Sequence, residues 1–248
     1  FNLAHRAKLG AGGGKGQLFK EFRLHPIHLE ASPRLADPLA ADERDHEREH
    51  EHVLKREAAL RALLTATGGR DFFVSTTGKT SREVFELREA LGQDHAHDFL
   101  TVGSMGHASM IALGIAKAKP EDTIWCLDGD GAALMHMGGL AIETQQGCLN
   151  LIHVLLNNGA HESVGGMPVA GGGLRFAPVA EALGFAVFTA QNEGELQAVL
   201  PRVRAAGKPC FLEIFLRQGS RADLGLPTQT PQENLRELGE ALAGRLDV

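Results

Sequence analysis

The sequence predicts an α/β fold: a doubly wound, mainly parallel six-stranded sheet with helices on both faces. Two observations carry that expectation. From Asp71 onward, short apolar runs alternate with amphipathic segments of helix length, the pattern of a sheet wrapped by its own crossovers. One such unit is also marked at both strand ends. Thr123-Ile124-Trp125-Cys126-Leu127 runs on to Gly129-Asp130-Gly131, and about thirty residues after Gly129, the run Leu151 to Leu156 meets Asn157-Asn158. Parallel strands need a crossover of that size, so both turns fall on the same sheet edge.

The elements follow in order. Strands are expected at Phe72–Ser75, Phe99–Val102, Thr123–Leu127, Leu151–Leu156, Ala186–Thr189 and Cys210–Leu216. Each is a short, bounded, apolar run of the kind that parallel strands covered on both faces show. Helices are expected at Ser81–Leu91, Ser104–Ala118, Ala133–Gln146, Phe176–Leu183, Glu193–Arg204 and Pro231–Leu246, with a further helical segment at Val53–Thr65. Residues 1–66 differ from the rest. They hold a flexible glycine stretch, Gly10 to Gly14, and a segment dense in charge and histidine, Asp42 to His52. They read as a linker and helical segment, and 67–248 as the α/β domain. His46, His50 and His52 have helical spacing, and a charged, solvated helix accounts for them.

Composition narrows the function classes. The chain has 248 residues, 43% hydrophobic and 23% charged, which suits a soluble globular protein with a large core. A net charge of −6 implies no nucleic-acid surface. No apolar run reaches membrane-spanning length. Cys126, Cys148 and Cys210 stand far apart, without disulfide or zinc spacing, which fits a reducing cytoplasm. The first residue is Phe1, so the chain is read as starting inside a longer product.

The marked strand ends carry the chemistry. A carboxylate (Asp130) and an amide oxygen (Asn158) are hard donors suited to a magnesium ion that also takes phosphate oxygens and water. Gly129 and Gly131 let backbone N–H groups approach an anion at the start of the following helix. Open parallel sheets bind ligands just outside the carboxyl ends of their strands. The same edge carries three more loops. Thr77-Gly78-Lys79-Thr80 is not a phosphate-binding loop of the Walker type, because Phe73 stands where that pattern needs glycine. Lys79 and Arg82 nevertheless supply positive charge for an anionic substrate. Gly103-Ser104-Met105-Gly106-His107 follows the second strand. Asn158 to Gly166 extends from the metal turn and reads as a glycine-rich cover. Within it His161, three residues past Asn158, is a candidate for substrate contact or proton transfer. A dinucleotide site fits less well, since Gly129-Asp130-Gly131-Ala132-Ala133-Leu134 lacks the third glycine and sets an acid where a pyrophosphate would lie.

Five separated segments then agree in order with one family. They are Ser75 to Glu83, Val102 to Ser109, Asp128 to Ala132 with Met135 to Gly138, Asn157 to Gly166, and Gly219-Ser220-Arg221-Ala222-Asp223-Leu224-Gly225-Leu226-Pro227-Thr228. Together they resemble the phosphonopyruvate decarboxylases, thiamine diphosphate-dependent 2-oxo acid decarboxylases, with sulfopyruvate decarboxylase a close relative. The resemblance implies thiamine diphosphate and Mg2+ as cofactors, with Asp130, Asn158 and the main-chain carbonyl of Ala160 as metal ligands. It implies cofactor contacts from Gly103, Ser104, Met105, Gly129, Gly131, Ala132 and Asn158. Met105 would wedge under the cofactor and hold its reactive bend. The substrate would be a small anionic 2-oxo acid, with Lys79, Arg82, His161 and Arg221 as candidate readers of its charge. The family builds its site between a diphosphate-binding and a pyrimidine-binding domain, and the activating glutamate lies in the second. This chain matches only the first, so a pyrimidine-binding domain or subunit is the implied partner, in a homo- or hetero-oligomer. A non-catalytic cofactor-binding subunit is the alternative of another class. Leu226 departs from the pattern, standing where the phosphonate decarboxylases are expected to carry a basic residue.

Overall fold

A computed structural model describes residues 54–67, 71–170 and 174–244. The glycine stretch at 10–14 and the histidine-rich segment at 42–52 lie outside the described residues. Six strands form one sheet: β1 (Phe72–Ser75), β2 (Asp98–Leu100), β3 (Ile124–Gly129), β4 (Leu151–Asn157), β7 (Ala186–Ala190) and β8 (Cys210–Phe215). Their order is β2-β1-β3-β4-β8-β7, and every pairing is parallel. The remaining strands, β5 (Ala160–His161) and β6 (Met167–Pro168), make a small antiparallel pair beyond β4. The helices are α1 (Arg56–Thr67), α2 (Lys79–Leu91), α3 (Ala108–Ala118), α4 (Asp130–Met135), α5 (Gly138–Gln146), α6 (Phe176–Leu183), α7 (Glu193–Arg204) and α8 (Pro231–Gly244).

The central strands are buried along nearly their whole length, which is why they read as continuous apolar runs and not as alternating ones. Alternation appears instead in which core each side chain enters. Phe73, Trp125, Ile152 and Leu212 pack with α1, α2 and α7 residues. Phe72, Val74, Ile124 and Cys126 pack with Ala108, Ala112 and Leu238 of α3 and α8. Phe73 and Trp125, opposite each other in the register, stack at 5.9 Å between ring centroids.

Helix α1 belongs to this core. Arg56, Ala59, Leu60, Leu63, Leu64 and Thr67 are its buried residues, the repeat of one helical face. The four apolar ones are fully buried against the sheet, each Leu worth about 2–5 kcal/mol against truncation to Ala. The packed unit therefore starts, among the described residues, at Leu54 and not at residue 67, because the helix contributes a face that the sheet needs covered.

Several element limits shift by one to three residues from the sequence expectation, and three differences bear on the site. The second strand ends at Leu100, and Val102 is 72% exposed. The helix expected from Ser104 starts at Ala108, because Gly103, Ser104 and Gly106 all hold positive φ (73°, 46° and 84°), which a right-handed helix does not admit. The helix expected over Ala133–Gln146 is two helices, broken at His136, whose ring nitrogen Nδ1 lies 2.9 Å from the carbonyl of Gly106.

The edge strand β2 is covered from the side. Asn234 of α8 accepts from the backbone N–H of Leu100 and donates to the carbonyl of Asp98, in place of a neighbouring strand. Beneath it, Arg88 forms a fork with the Asp98 carboxylate at 2.7 and 2.9 Å, both groups fully buried.

Candidate functional site

All six strands point the same way, so one edge gathers the loops after β1, β2, β3, β4 and β8. From β1 the chain steps to β2 on one side, then crosses back over β1 to β3 and goes on to β4 on the other. That reversal of strand order lies between β1 and β3, the place where open α/β sheets bind ligands.

Asp130 opens α4 directly after β3 and is 4% exposed. One carboxylate oxygen accepts from the N–H of Gly131 at 2.7 Å, and the other from the N–H of Gly159 at 2.6 Å. The side chain thus ties the turn after β3 to the turn after β4. Burial pushes the carboxyl above its ordinary range, against the backbone N–H groups of Gly131, Gly159 and Asn158 that favour the ionised form. A divalent cation would complete that opposition.

The two asparagines divide the work. Asn157 points back into the sheet, donating to Glu213 of β8 at 2.8 Å. Asn158 stays at the edge, its side-chain oxygen accepting from the N–H of Ala160 at 3.1 Å. In the β5–β6 hairpin, Val169 N–H bonds the Gly159 carbonyl, and Ala160 faces Pro168 one position on. Antiparallel ladders alternate, so this next pair turns its backbone groups away from the partner strand. The carbonyl of Ala160 is left for something outside the hairpin. Asp130, Asn158 and that carbonyl are an all-oxygen donor set, which fits a hard cation.

His161 lies over Gly131. A Cβ at Gly131 would meet the imidazole Cε1 at 2.3 Å, so any side chain there displaces the ring. The imidazole is half-buried beside the carboxylate of Asp130. The loop carrying it is tied down and not an open cover. Glu162 accepts from Arg56 of α1 at 2.9 Å and from the N–H of Gly219, and Lys79 stands 4.0 Å away. Burial works against ionised Glu162, but Gly219, Arg56 and Lys79 outweigh it and hold the carboxyl below its usual range. Arg56 is a residue that sequence reasoning missed. It also grips Glu83 of α2, and only its place on the buried face of α1 marked it.

The loop after β2 reaches the same edge. The N–H of Gly103 donates to the Thr77 hydroxyl at 3.0 Å, linking it to the loop after β1. A Cβ at Gly106 would lie 3.0 Å from the Ala132 carbonyl, so the loop sits tightly on α4. Gly106 thereby seats the loop on the helix that Asp130 opens; half-buried Met105 directly precedes this contact, and Gly103 and Ser104 are exposed. His107 and His136, for which the sequence offered no role, bring their rings to 5.0 Å at this junction.

The four candidate cations are not brought together. Lys79 donates to the Ser220 hydroxyl at 2.8 Å, near the loop of His161. Arg82 donates to the carbonyls of Leu224 and Gly225. Arg221 is ringed by Glu57, Glu86 and Asp223. Both arginines hold the segment after β8 onto α1 and α2. A cleft of about 640 Å³ there is lined by Glu57, Arg61, Phe85, Glu86, Arg221 and Leu226, and none of the Asp130 turn enters it.

With this geometry in view, the comparisons are decisive on family. Residues 76–214 match the model of the thiamine pyrophosphate enzymes' C-terminal TPP binding domain. The chain belongs to this family. It is 37% identical over 186 residues to a phosphonopyruvate decarboxylase of Streptomyces hygroscopicus, covering 75% of this chain and 45% of that protein. A second phosphonopyruvate decarboxylase, from Streptomyces viridochromogenes, is 36% identical over 182 residues, 73% of this chain and 44% of the relative. The chain spans less than half the length of these two relatives. It covers 76% of the sulfopyruvate decarboxylase subunit beta of Methanothermobacter thermautotrophicus, at 32% identity over 60% of this chain. A solved protein from Mycobacterium smegmatis, described as thiamin diphosphate-dependent, shares the fold with a TM-score of 0.56 at 21% identity, over 66% of this chain and 32% of its own.

The domain is therefore a thiamine diphosphate-binding one, on a six-stranded parallel α/β sheet. Among the described residues no helix is long and apolar enough to cross a membrane.

Proposed function

We propose that this chain is the diphosphate-binding half of a thiamine diphosphate- and Mg2+-dependent enzyme that decarboxylates 3-phosphonopyruvate to phosphonoacetaldehyde and CO2. The observation that carries the reading is Asp130, which joins the turns after β3 and β4 at the switch point of the sheet. The likeness to two phosphonopyruvate decarboxylases supports the substrate class.

Bound thiamine diphosphate supplies the electron sink for loss of CO2. The chain's own residues do the rest. Asp130, Asn158 and the Ala160 carbonyl would hold the magnesium. Backbone groups of Gly103, Ser104, Gly129, Gly131 and Ala132 would surround the diphosphate, and Met105 would support the bound cofactor. His161, seated on Gly131, moves a proton at its imidazole as CO2 departs and a proton replaces it. Lys79 is the cation we assign to the substrate's phosphonate, because it stands beside the loop of His161, whereas Arg82 and Arg221 lie away from that loop, held by backbone carbonyls and by carboxylates. A pyrimidine-binding domain or subunit completes the site and makes the working enzyme an oligomer. The reading places it in a reducing cytoplasm, in keeping with three free thiols.

A sulfopyruvate decarboxylase of separate subunits is the second reading, favoured by the 76% of a beta subunit that the chain covers. Pairing the chain with a pyrimidine-domain partner and following CO2 release from each acid separates the two. Faster turnover of 3-phosphonopyruvate is expected. Preference for sulfopyruvate would replace the first reading, and turnover of neither would leave a non-catalytic cofactor-binding subunit.

A further inference from the structure

Below the Asp130 turn lies a group of side chains that the proposed chemistry does not use. Cys126 and Asp128 stand two apart on β3 and so share a face, and His153 of β4 is paired in register with Cys126. Glu143 of α5 closes over them. Cys126 and Glu143 are 0% exposed, and Asp128 and His153 are 1% exposed. Phe211 stacks on the imidazole at 5.1 Å.

Nδ1 of His153 lies 3.2 and 3.1 Å from the two Glu143 oxygens, and a carboxylate only accepts, so Nδ1 carries the proton. The other ring nitrogen, Nε2, is buried without a hydrogen-bond partner and faces the pair on β3, with a carboxylate oxygen of Asp128 at 3.9 Å. The thiol of Cys126, a carboxylate oxygen of Asp128 and a ring nitrogen of His153 all lie within 4.8 Å of one another. We propose that Cys126, Asp128 and His153 form a second metal site, for a thiophilic divalent cation of the zinc class, separate from the magnesium site.

Three points of chemistry support it. Thiolate, imidazole and carboxylate together are a zinc-type donor set, whereas the Asp130 turn offers oxygen alone. A histidine that binds metal through one ring nitrogen characteristically donates the other N–H to a carboxylate, the part Glu143 takes here. The carboxyl of Asp128 is held through one oxygen by the N–H of Gly129 and turns the other toward Nε2, so its donor already faces the same space. Bonds of about 2.0–2.3 Å would space tetrahedral ligand atoms about 3.3–3.8 Å apart, so the side chains close in by about 1 Å on binding. With no opening to solvent, the ion enters as the chain folds. Once there, it crosslinks β3 to β4 directly below the strand ends that carry Asp130 and Asn158.

The test is to refold the full chain with zinc sulfate or cobalt chloride, remove free metal by gel filtration and measure metal content. About one tightly held zinc per chain is expected, absent from His153→Gln. The cobalt form should show a thiolate-to-cobalt charge-transfer band that Cys126→Ser abolishes. Cobalt at the Asp130 turn cannot produce that band, since no thiolate is offered there, so the two sites are read apart. Metal-free protein after refolding in excess zinc, or bound cobalt without the band, overturns the proposal and leaves an imidazolium held between two carboxylates. The wild-type measurements decide without the variants, should either fail to fold.

Discussion

At the scale of the residue, the site depends on few atoms held by backbone. Asp130 is engaged by two N–H groups from different turns before any ion arrives, so its carboxylate is already aimed. Preorganisation of that kind means that charge and geometry can be separated by experiment. Asp130→Asn retains an oxygen acceptor but loses the charge, and it sets an NH2 group against one of the two N–H donors. Folding should lose only about 1–3 kcal/mol. Magnesium-dependent affinity for thiamine diphosphate should fall by about 100-fold or more, because the one ionised ligand is gone. Isothermal titration in magnesium and in EDTA measures both limits, and unchanged affinity in the variant would remove Asp130 from the metal site. Gly131 makes a related point. A Cβ there would displace the imidazole of His161, so the glycine lets the histidine sit directly over the first turn of α4.

At the scale of the element, the decisive contacts tie one element to another. Arg88 at the end of α2 and Asp98 at the start of β2 form a fully buried pair, with the guanidinium also 5.1 Å from the centre of the Phe73 ring. Removing one partner strands the other charge in the core. Arg88→Met should therefore cost about 3–5 kcal/mol, read as a lower urea midpoint at unchanged slope. Adding Asp98→Asn removes the stranded charge and should recover part of that loss. A single variant within about 1 kcal/mol of wild type would show that water reaches Asp98 when the pair is broken. The segment after β8 follows the same logic, since Arg82 and Arg221 anchor it and are thereby drawn away from the substrate role that their positive charge suggested.

At the scale of the whole molecule, one α/β domain presents its ligand edge with apolar side chains uncovered. Val102, Met135, Val164 and Met167 are between 57% and 72% exposed on the loops and helix beside the Asp130 turn. Such a surface suits a partner across the cofactor. The described residues hold a single six-stranded core, and the proposed function assigns the activating glutamate to a pyrimidine-binding partner. The isolated 248-residue chain should thus bind thiamine diphosphate with magnesium yet release no CO2 from 3-phosphonopyruvate, and addition of a pyrimidine-domain partner should restore turnover. Enzyme-like turnover by a verified pure chain alone would refute the half-site reading.

The sequence by itself determined the fold class, most strand and helix positions, and the place of the Asp130 turn at a strand end. Those are local matters. An apolar run closed by Gly-Asp-Gly or Asn-Asn records both a strand and the turn at its end, and helical periodicity needs only neighbours. β1, α6 and α7 match their expected limits residue for residue. The positive φ values of Gly103, Ser104 and Gly106 were not legible in the same way, because they follow the path of the loop between β2 and α3, which meets α4 at Gly106. Ion-pair partners were not legible either. Arg56 meets Glu162 across 106 positions, and Arg221 meets Glu57 across 164. Any exposed arginine could have served the substrate, and packing alone selected which carboxylates each one meets. Tertiary structure also placed α1 inside the core and set Cys126, Asp128 and His153 around one buried space. In each case the energy depends on distance in space and on the loss of water around a charge, and neither is encoded in separation along the chain.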